Sequence, residues 1–208
     1  MPRMFRTRPC AWLLPPVVAV AIALIDVVLR SRLWPLPVVG LLDGPAHLAT
    51  AWLALRALAP RSTPPWLWAT ALAASVVIDV DHVPMYLSDG GFTVNGGRPP
   101  THSLALAVLL VAIGLAGRAT RWALGAAIGV LLHFVRDVAT GPGLPLLWPA
   151  SHTAILAPYQ AYLIAVAVLA LVAAYRSRPR TEMQPVQASS LQTSESRPQT
   201  SDQGRPPP

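Results

Sequence analysis

Long apolar segments dominate this 208-residue chain and restrict the folds open to it. About six of them can be recognised, at roughly residues 11–29, 36–59, 66–83, 101–116, 122–139 and 155–175. A helix of about 20 apolar residues crosses a bilayer, and only 12% of the residues here are charged. A water-soluble helical protein with a large buried core is the weaker alternative. The sequence therefore predicts an all-α fold, a polytopic membrane bundle of about six helices.

The two ends of the chain differ from the apolar segments between them. Arg3, Arg6 and Arg8 precede the first segment and no small-residue cleavage site follows it, so we expect a retained helix rather than a signal peptide. From residue 178 onward, Pro, Ser, Gln and Thr dominate and offer little to bury. We therefore predict a membrane helical domain over residues 1–177 and a disordered cytoplasmic tail over residues 178–208. A single cysteine, Cys10, excludes an intrachain disulfide.

Most ionisable side chains of the apolar segments fall at one end of the predicted bundle. If the segments alternate through the bilayer, the residues that share this end are Asp43, His47, Asp79, Asp81, His82, His102, His133, Asp137 and His152. Ionisable groups in membrane segments are costly and usually mark functional sites. The opposite end carries most of the arginines, and the positive-inside rule makes that end cytoplasmic. We expect both termini to be cytoplasmic and the histidine-rich end to face outward.

The spacing of these side chains favours a metal site. Asp79 and His82 are three residues apart, and His133 and Asp137 are four apart, so a helix directs each pair to one face. Imidazole and carboxylate groups are the ligands expected of hydrolytic zinc centres and two-metal centres. We predict one or two divalent ions, with zinc the first choice, bound by a set of six candidate ligands. These are His47, Asp79, His82, His102, His133 and Asp137.

Other polar residues receive subsidiary predictions. Asp81 is a candidate bridging ligand or general base, and Arg98 is a candidate for binding an anionic substrate group or else a solvated loop charge. The hydroxyl groups of Thr101, Ser103 and Thr140 are candidates for contacting and orienting the ligands, and Thr101 is also a candidate helix N-cap. Three residues have two interpretations each. We favour an interfacial position for Asp26 over pairing with another buried polar group, a helix-start or turn role for Asp43 over metal ligation, and an interfacial position for His152 over a place in the site.

Several separated motifs, in order, resemble the YdjM-like family. They are Val77-Ile78-Asp79-Val80-Asp81-His82-Val83-Pro84, then Arg98 to Thr101-His102-Ser103, then His133 with Asp137 and the stretch Thr140 to Pro149. The family comprises bacterial inner-membrane proteins described as metal-dependent hydrolases and sometimes labelled LexA-binding. The resemblance covers about residues 43–150, and it implies a ligand arrangement remotely like that of zinc-dependent phospholipase C. The family pattern has His-Arg-Gly ahead of Thr-His-Ser, whereas this chain has Gly97-Arg98-Pro99-Pro100 and so lacks one histidine.

Together these observations favour a membrane-bound metal-dependent hydrolase at the outer face of the inner membrane. Its substrate would be a phosphoester, with lipid head groups the natural candidates because the site opens at the bilayer surface. The alternatives are a metal or proton transporter, which would carry ionisable groups at mid-membrane, and an inactive membrane scaffold. No DNA-reading motif is evident, so we expect no direct nucleic-acid binding. The sequence does not identify a protein partner.

Overall fold

A computed structural model describes residues 10–87, 92–95 and 97–178, and these residues form an α-helical bundle. The helices are α1 (Leu14–Ser31), α2 (Leu36–Leu58), α3 (Pro65–Val77), α4 (His82–Leu87), α5 (Leu104–Leu115), α6 (Trp122–Asp137) and α7 (Tyr159–Ser177). The described residues contain no β-strand, only an isolated bridge between Leu144 and Ile155. The predicted all-α class is confirmed. The tail predicted over residues 178–208 lies, apart from Arg178, outside the described residues.

Four helical stretches are long and apolar enough to cross a membrane, namely Ala11–Ser31, Pro37–Leu58, Pro65–Pro84 and Tyr159–Ser177. Their outer faces carry large hydrophobic side chains, such as Val27, Leu41 and Leu171, each at least 65% exposed. A water-soluble protein rarely presents so much contiguous apolar surface. Lipid is the solvent that fits these helices.

Two apolar clusters hold the bundle together. One joins α1, α2 and α7 through Ile22, Leu53 and Val166. The other packs α5 and α6 against the loop after α6, through Ala107, Phe134 and other buried side chains. Apolar contacts among α1, α2 and α7 and between α5 and α6 thus hold the helices that carry the polar end of the bundle.

Helices α3 and α6 approach each other closely because α6 carries glycine at the contact. A Cβ atom added at Gly125 would lie 1.8 Å from Thr70 Oγ1, and one added at Gly129 would lie 2.1 Å from the carbonyl oxygen of Ala71. Small residues spaced four apart are the usual means by which membrane helices pack backbone to backbone. The same face of α6 continues at four-residue intervals to His133 and Asp137, so this packing sets their distance from α3.

The third apolar segment does not end at Pro84 as its sequence predicts. Helix α3 ends at Val77, the backbone tightens into a 3₁₀ turn over Ile78–Asp81, and α4 then begins at His82. Pro84 lies in the first turn of α4, where its missing N–H costs no hydrogen bond. The change from α-helix to 3₁₀ turn falls on the Asp-Val-Asp-His motif. In an ideal helix these side chains would point in different directions around the axis. The 3₁₀ turn lets them reach neighbouring elements.

The loop between α6 and α7 folds back over the polar end. Gly141 and Gly143 have φ angles of +66° and +84°, a conformation that glycine adopts without strain. Leu144 and Ile155 exchange backbone hydrogen bonds of 2.9 and 2.8 Å, and Leu104 donates to the carbonyl of Leu146 at 3.0 Å. The sixth apolar segment therefore becomes helical only at Tyr159, four residues later than predicted.

Candidate metal centre

Side chains from four parts of the chain meet at one end of the bundle. Helix α2 contributes His47, the turn after α3 contributes Asp79 and Asp81, the loop before α5 contributes His102, and α6 contributes His133 and Asp137. His82, at the start of α4, completes the group. His47, His102, His133 and Asp137 are fully buried, His82 is nearly so, and Asp79 is half-buried. All six predicted ligands are therefore brought together.

Four donor atoms converge most tightly, one from each of His102, His133, Asp79 and Asp137. The two Nε2 atoms of His102 and His133 lie 3.2 Å apart. Asp137 Oδ2 is 2.9 Å from His133 Nε2 and 3.5 Å from His102 Nε2. Asp79 Oδ1 is 3.4 Å and 3.6 Å from the same two nitrogens. Tetrahedral zinc, with bonds of about 2.0–2.2 Å, separates neighbouring ligand atoms by about 3.3–3.6 Å. Three of these five separations lie in that range and the other two, 2.9 and 3.2 Å, are shorter, so the quartet is close to a zinc-sized ligand set.

The Nδ1 atoms of His102 and His133 contact residues outside the quartet. His133 Nδ1 lies 2.9 Å from the backbone carbonyl of Ser75, which only accepts hydrogen bonds, and His102 Nδ1 lies 3.1 Å from Asp81 Oδ2. Placing the protons on both Nδ1 atoms leaves two Nε2 lone pairs facing each other. Such a pair requires a shared cation or proton between them, and a carbonyl or carboxylate behind a ligating histidine is the usual support for a bound metal.

Asp137 also faces a second, smaller group. Its Oδ1 lies 3.2 Å from His47 Nε2, which is 3.4 Å from Asp43 Oδ2. His47 Nε2 and Asp137 Oδ1 are buried, and neither has a hydrogen-bond partner among the described residues. The His47 ring stacks on the His133 ring, with centroids 3.7 Å apart. Asp137 thus presents Oδ2 to His102 and His133 and Oδ1 to His47. This arrangement of a carboxylate is common in two-metal sites.

The electrostatics of the cluster favour a cation. His102 lies in the loop ahead of α5, outside the helices that could cross a membrane. Burial opposes its charged form, but contacts with the carboxylates of Asp79 and Asp81 outweigh burial and raise the pKa of His102 above its ordinary value. The carboxylates that stabilise an imidazolium here would equally stabilise a divalent ion, which would then replace the proton.

Asp81 contacts histidine rings on both sides. Its Oδ1 lies 2.9 Å from His82 Nδ1, and its Oδ2 accepts from His102 Nδ1 and from the hydroxyl of Thr101. Thr101 therefore contacts the site as predicted, but it does not cap α5, which begins at Leu104 after Ser103. The geometry favours a role for Asp81 in orienting His102, and its predicted role as a base or bridging ligand stays a prediction.

The remaining predicted site residues lie at varying distances from the cluster. Arg98 is buried, and its Nη1 lies 2.8 Å from Asp137 Oδ2. The Ser103 hydroxyl is buried without a hydrogen-bond partner in the described part of the chain, and Thr140 donates to the backbone carbonyl of Arg136 at 3.2 Å. His152 is exposed, and its backbone oxygen accepts a hydrogen bond from Asn95. Its interfacial position stays a prediction.

A second buried polar network, next to the cluster, was not predicted. Arg136 Nη2 lies 2.6 Å from Asp26 Oδ1 and 2.7 Å from Asp43 Oδ1, and Nη1 donates to Tyr162 at 3.2 Å. Asp26 is only 2% exposed, so its predicted interfacial position is wrong. Tyr159 donates to the other Asp26 oxygen. The signal in the sequence was an acid in each of the first two apolar segments and one arginine beside Asp137, a charge balance that lipid demands.

A cavity of about 470 Å³ opens beside the histidine–carboxylate cluster and the Arg136 network. Its charged lining consists of Asp79 and His82 from the cluster, Asp26 and Asp43 from the Arg136 network, and the arginines Arg30, Arg98 and Arg136. Its uncharged wall comes from the end of α1, the start of α2 and the loop after α6. A ligand in this cavity would therefore touch both the candidate ligands and arginine.

The fold and this site define a class, an α-helical membrane protein with a buried histidine–carboxylate cluster able to bind divalent metal. The family model of the YdjM inner membrane protein matches residues 42–192, well over half of the chain. The chain belongs to this family, as the motif resemblance predicted. No curated protein and no solved structure matches it.

Proposed function

We propose that this protein is a membrane-bound metal-dependent hydrolase that cleaves a phosphoester at the extracytoplasmic face of the bacterial inner membrane. The observation that carries the proposal is the quartet of His102, His133, Asp79 and Asp137, in which each histidine Nε2 lies 2.9–3.6 Å from the other and from one oxygen of each aspartate. A buried cluster of this kind costs folding free energy, so its persistence argues for a role beyond packing.

Each group in the cluster has a task in such a reaction. His102, His133, Asp79 and Asp137 would hold one ion, and His47 with the second oxygen of Asp137 would hold another. A bound divalent ion would supply Lewis acidity and lower the pKa of a nearby water toward neutrality. Asp81 fixes the orientation of His102.

The cavity beside the cluster fits a small anionic substrate group. Arg98 holds Asp137 through Nη1, whereas its buried Nε has no hydrogen-bond partner among the described residues. That N–H is buried and lacks a partner, so it is a candidate donor to a phosphate oxygen bound against Arg98. Guanidinium groups are well suited to phosphate because they donate several hydrogen bonds in one plane.

A transporter of metal ions or protons is the second candidate. Polar groups do continue from the cluster into the bundle, where Tyr162 contacts both Arg136 and Thr50. Beyond Thr50, the buried residues of α2 are apolar, namely Ala51, Leu53, Ala54, Leu55 and Ala57. A conducting path would need polar partners across the whole bilayer, so the hydrolase is the better-supported function.

The test is metal content together with phosphoester cleavage in detergent-purified protein. We expect stoichiometric zinc or manganese in the wild type and its loss in His102→Ala and in His133→Ala. His152→Ala is the matched control, because His152 is exposed, and it should keep both metal and activity. Phosphate release should stop with chelator and return with added metal. Equal metal content in all four proteins, or metal without cleavage of any phosphoester, would contradict the proposal.

A further inference from the structure

Two glycines on α2, Gly40 and Gly44, line the cavity. A Cβ atom added at Gly40 would meet no heavy atom within 4 Å, and one added at Gly44 would meet only Val76 Cγ1 at an ordinary 3.7 Å. Gly44 directly precedes Pro45 inside the helix, where a Cβ atom is disfavoured, so the backbone gives one reason for glycine there. Gly40 has no such reason, and glycine is less favourable than alanine in a helix. In contrast to Gly125 and Gly129, which other atoms crowd, Gly40 leaves space open at the cavity.

The cavity lining mixes apolar and charged side chains. Leu29, Val39 and Val76 line it together with Gly40 and Gly44, and its charged residues are Asp26, Asp43, Asp79, His82, Arg30, Arg98 and Arg136. Asp26 and Asp43 are paired with Arg136, which leaves Arg30 and the Nε of Arg98 as the cationic groups for a ligand. A ligand that fills the cavity would meet both kinds of lining, so it would combine a charged group with an adjoining hydrocarbon portion. The buried Nε of Arg98 has no hydrogen-bond partner among the described residues, which is an independent sign that the charged part is an anion.

Arg30 is held at the same cavity. Its guanidinium lies over the Tyr159 ring, 3.3 Å from the centroid, and Tyr159 is itself fixed by its hydrogen bond to Asp26. Among the salt bridges of the described residues, none involves Arg30. Stacking leaves the N–H edge of a guanidinium free to bind an anion. Arg30 and Arg98 therefore offer two cationic groups to one ligand.

The position of the cavity in the bundle explains how such a ligand would arrive. Leu29 and Arg30 lie in the last turn of α1, and Val39 and Gly40 lie near the start of α2. The connection between them carries Leu33, which is fully exposed, and Trp34, which stacks with Arg32. Tryptophan and arginine at the end of a membrane helix are typical of the head-group layer. If α1 spans the bilayer, the cavity beside its last turn lies at the level of the lipid phosphates.

We infer that the ligand is an amphiphilic phosphoester, with its phosphate on Arg30 and Arg98 and the start of its apolar chain against Gly40 and Gly44. The inference rests on the proposed function for the reaction, but it concerns which phosphoesters bind. A water-soluble phosphoester shares the head-group chemistry and lacks the chain. The affinities of the protein for an amphiphilic and for a water-soluble phosphoester can therefore be compared directly.

The probe is a phosphonate analogue of phosphatidic acid, which resists hydrolysis, compared with the short water-soluble phosphonate that lacks acyl chains. Binding to the full chain in neutral detergent is followed by thermal stabilisation, with and without zinc. We expect at least tenfold tighter binding of the lipid analogue to the wild type. Gly40→Leu should lose that preference, and the milder Gly40→Ala and Gly44→Ala should reduce it. Arg30→Gln should weaken both analogues to a similar extent.

Gly117→Leu is the matched control, because a Cβ atom added at Gly117 also meets nothing within 4 Å and this residue lies away from the cavity. It should bind like the wild type. Equal affinity for the two analogues, or an unchanged preference in all the Gly40 and Gly44 variants, would overturn the inference. Phosphate release from hydrolysable substrates is measured separately. Lipid binding without any release would refute the hydrolase and leave the inference standing.

Discussion

Asp81 illustrates how one side chain's role depends on a change in backbone pitch. In an ideal helix, Asp81 would point away from Asp79. The 3₁₀ turn over Ile78–Asp81 instead lets it reach His102 and His82. A carboxylate behind a ligating imidazole fixes the tautomer of the ring and increases its basicity. Asp81 would therefore act on a bound metal through His102.

Replacing Asp81 separates this role from that of a catalytic base. In Asp81→Asn we expect metal affinity to fall about 10–100-fold, as for other residues behind a ligand. Activity should return when metal is supplied in excess. The measurement is phosphate release as a function of free zinc concentration. A variant that stays inactive at saturating metal would instead assign Asp81 a direct part in the reaction.

At the scale of the helices, the distance between α3 and α6 determines the geometry of the cluster. His133 reaches the carbonyl of Ser75 only because Gly125 and Gly129 let the two backbones approach. The interaxial distance and the metal site are therefore coupled. A side chain added at the contact would move His133 and Asp137 as one unit.

We expect Gly129→Ala to destabilise the protein and to weaken metal binding together. The added methyl group would overlap the Ala71 backbone, and overpacking of this kind typically costs about 1–3 kcal/mol. The thermal unfolding midpoint and the zinc content of the purified protein measure the two effects. Gly117→Ala, in open space, is the control. If Gly129→Ala kept full stability and metal content, the coupling between packing and site would be absent.

Sequence periodicity predicted the pairs within a helix better than the contacts between helices. His133 and Asp137 are four residues apart, so any α-helix brings them together, and their Nε2–Oδ2 distance is 2.9 Å. The salt bridge between Arg136 and Asp26 spans 110 positions of the chain, and no local pattern encodes it. Likewise, no local pattern in the sequence predicted the 3₁₀ turn at Ile78–Asp81. Asp26 was misplaced because its partner was not recognised.

At the scale of the whole molecule, we assumed that the apolar segments alternate through the bilayer. This assumption predicted that the candidate ligands meet at one end of the bundle more reliably than it predicted which segments are long enough to cross the membrane. Helix α5 has 12 residues and α6 has 16. At about 1.5 Å per residue, α5 is about 18 Å long, well short of a bilayer's hydrocarbon core. The predicted ligands nevertheless meet, because the loops before α5 and after α6 return to the same end. The side of the membrane on which they meet is a separate question.

The single natural cysteine offers a direct test of orientation. Cys10 is exposed just ahead of α1, and Leu33 is exposed in the connection to α2. If the N-terminus is cytoplasmic, a membrane-impermeant maleimide should label Cys10 only in lysed spheroplasts. In a Cys10→Ser background, Leu33→Cys should be labelled in intact spheroplasts. The reverse labelling pattern would place the candidate metal centre on the cytoplasmic side.

The network around Arg136 has a consequence for how the chain is assembled during synthesis. Asp26 and Asp43 leave the ribosome well before Arg136, so α1 and α2 are made before the arginine that pairs with both carboxylates in the folded bundle. Tyr159 and Tyr162, which complete the hydrogen bonds of the network, are made later still. The complete network therefore cannot form until α7 has been synthesised, which makes the packing of α1 and α2 against α6 a late event in biogenesis.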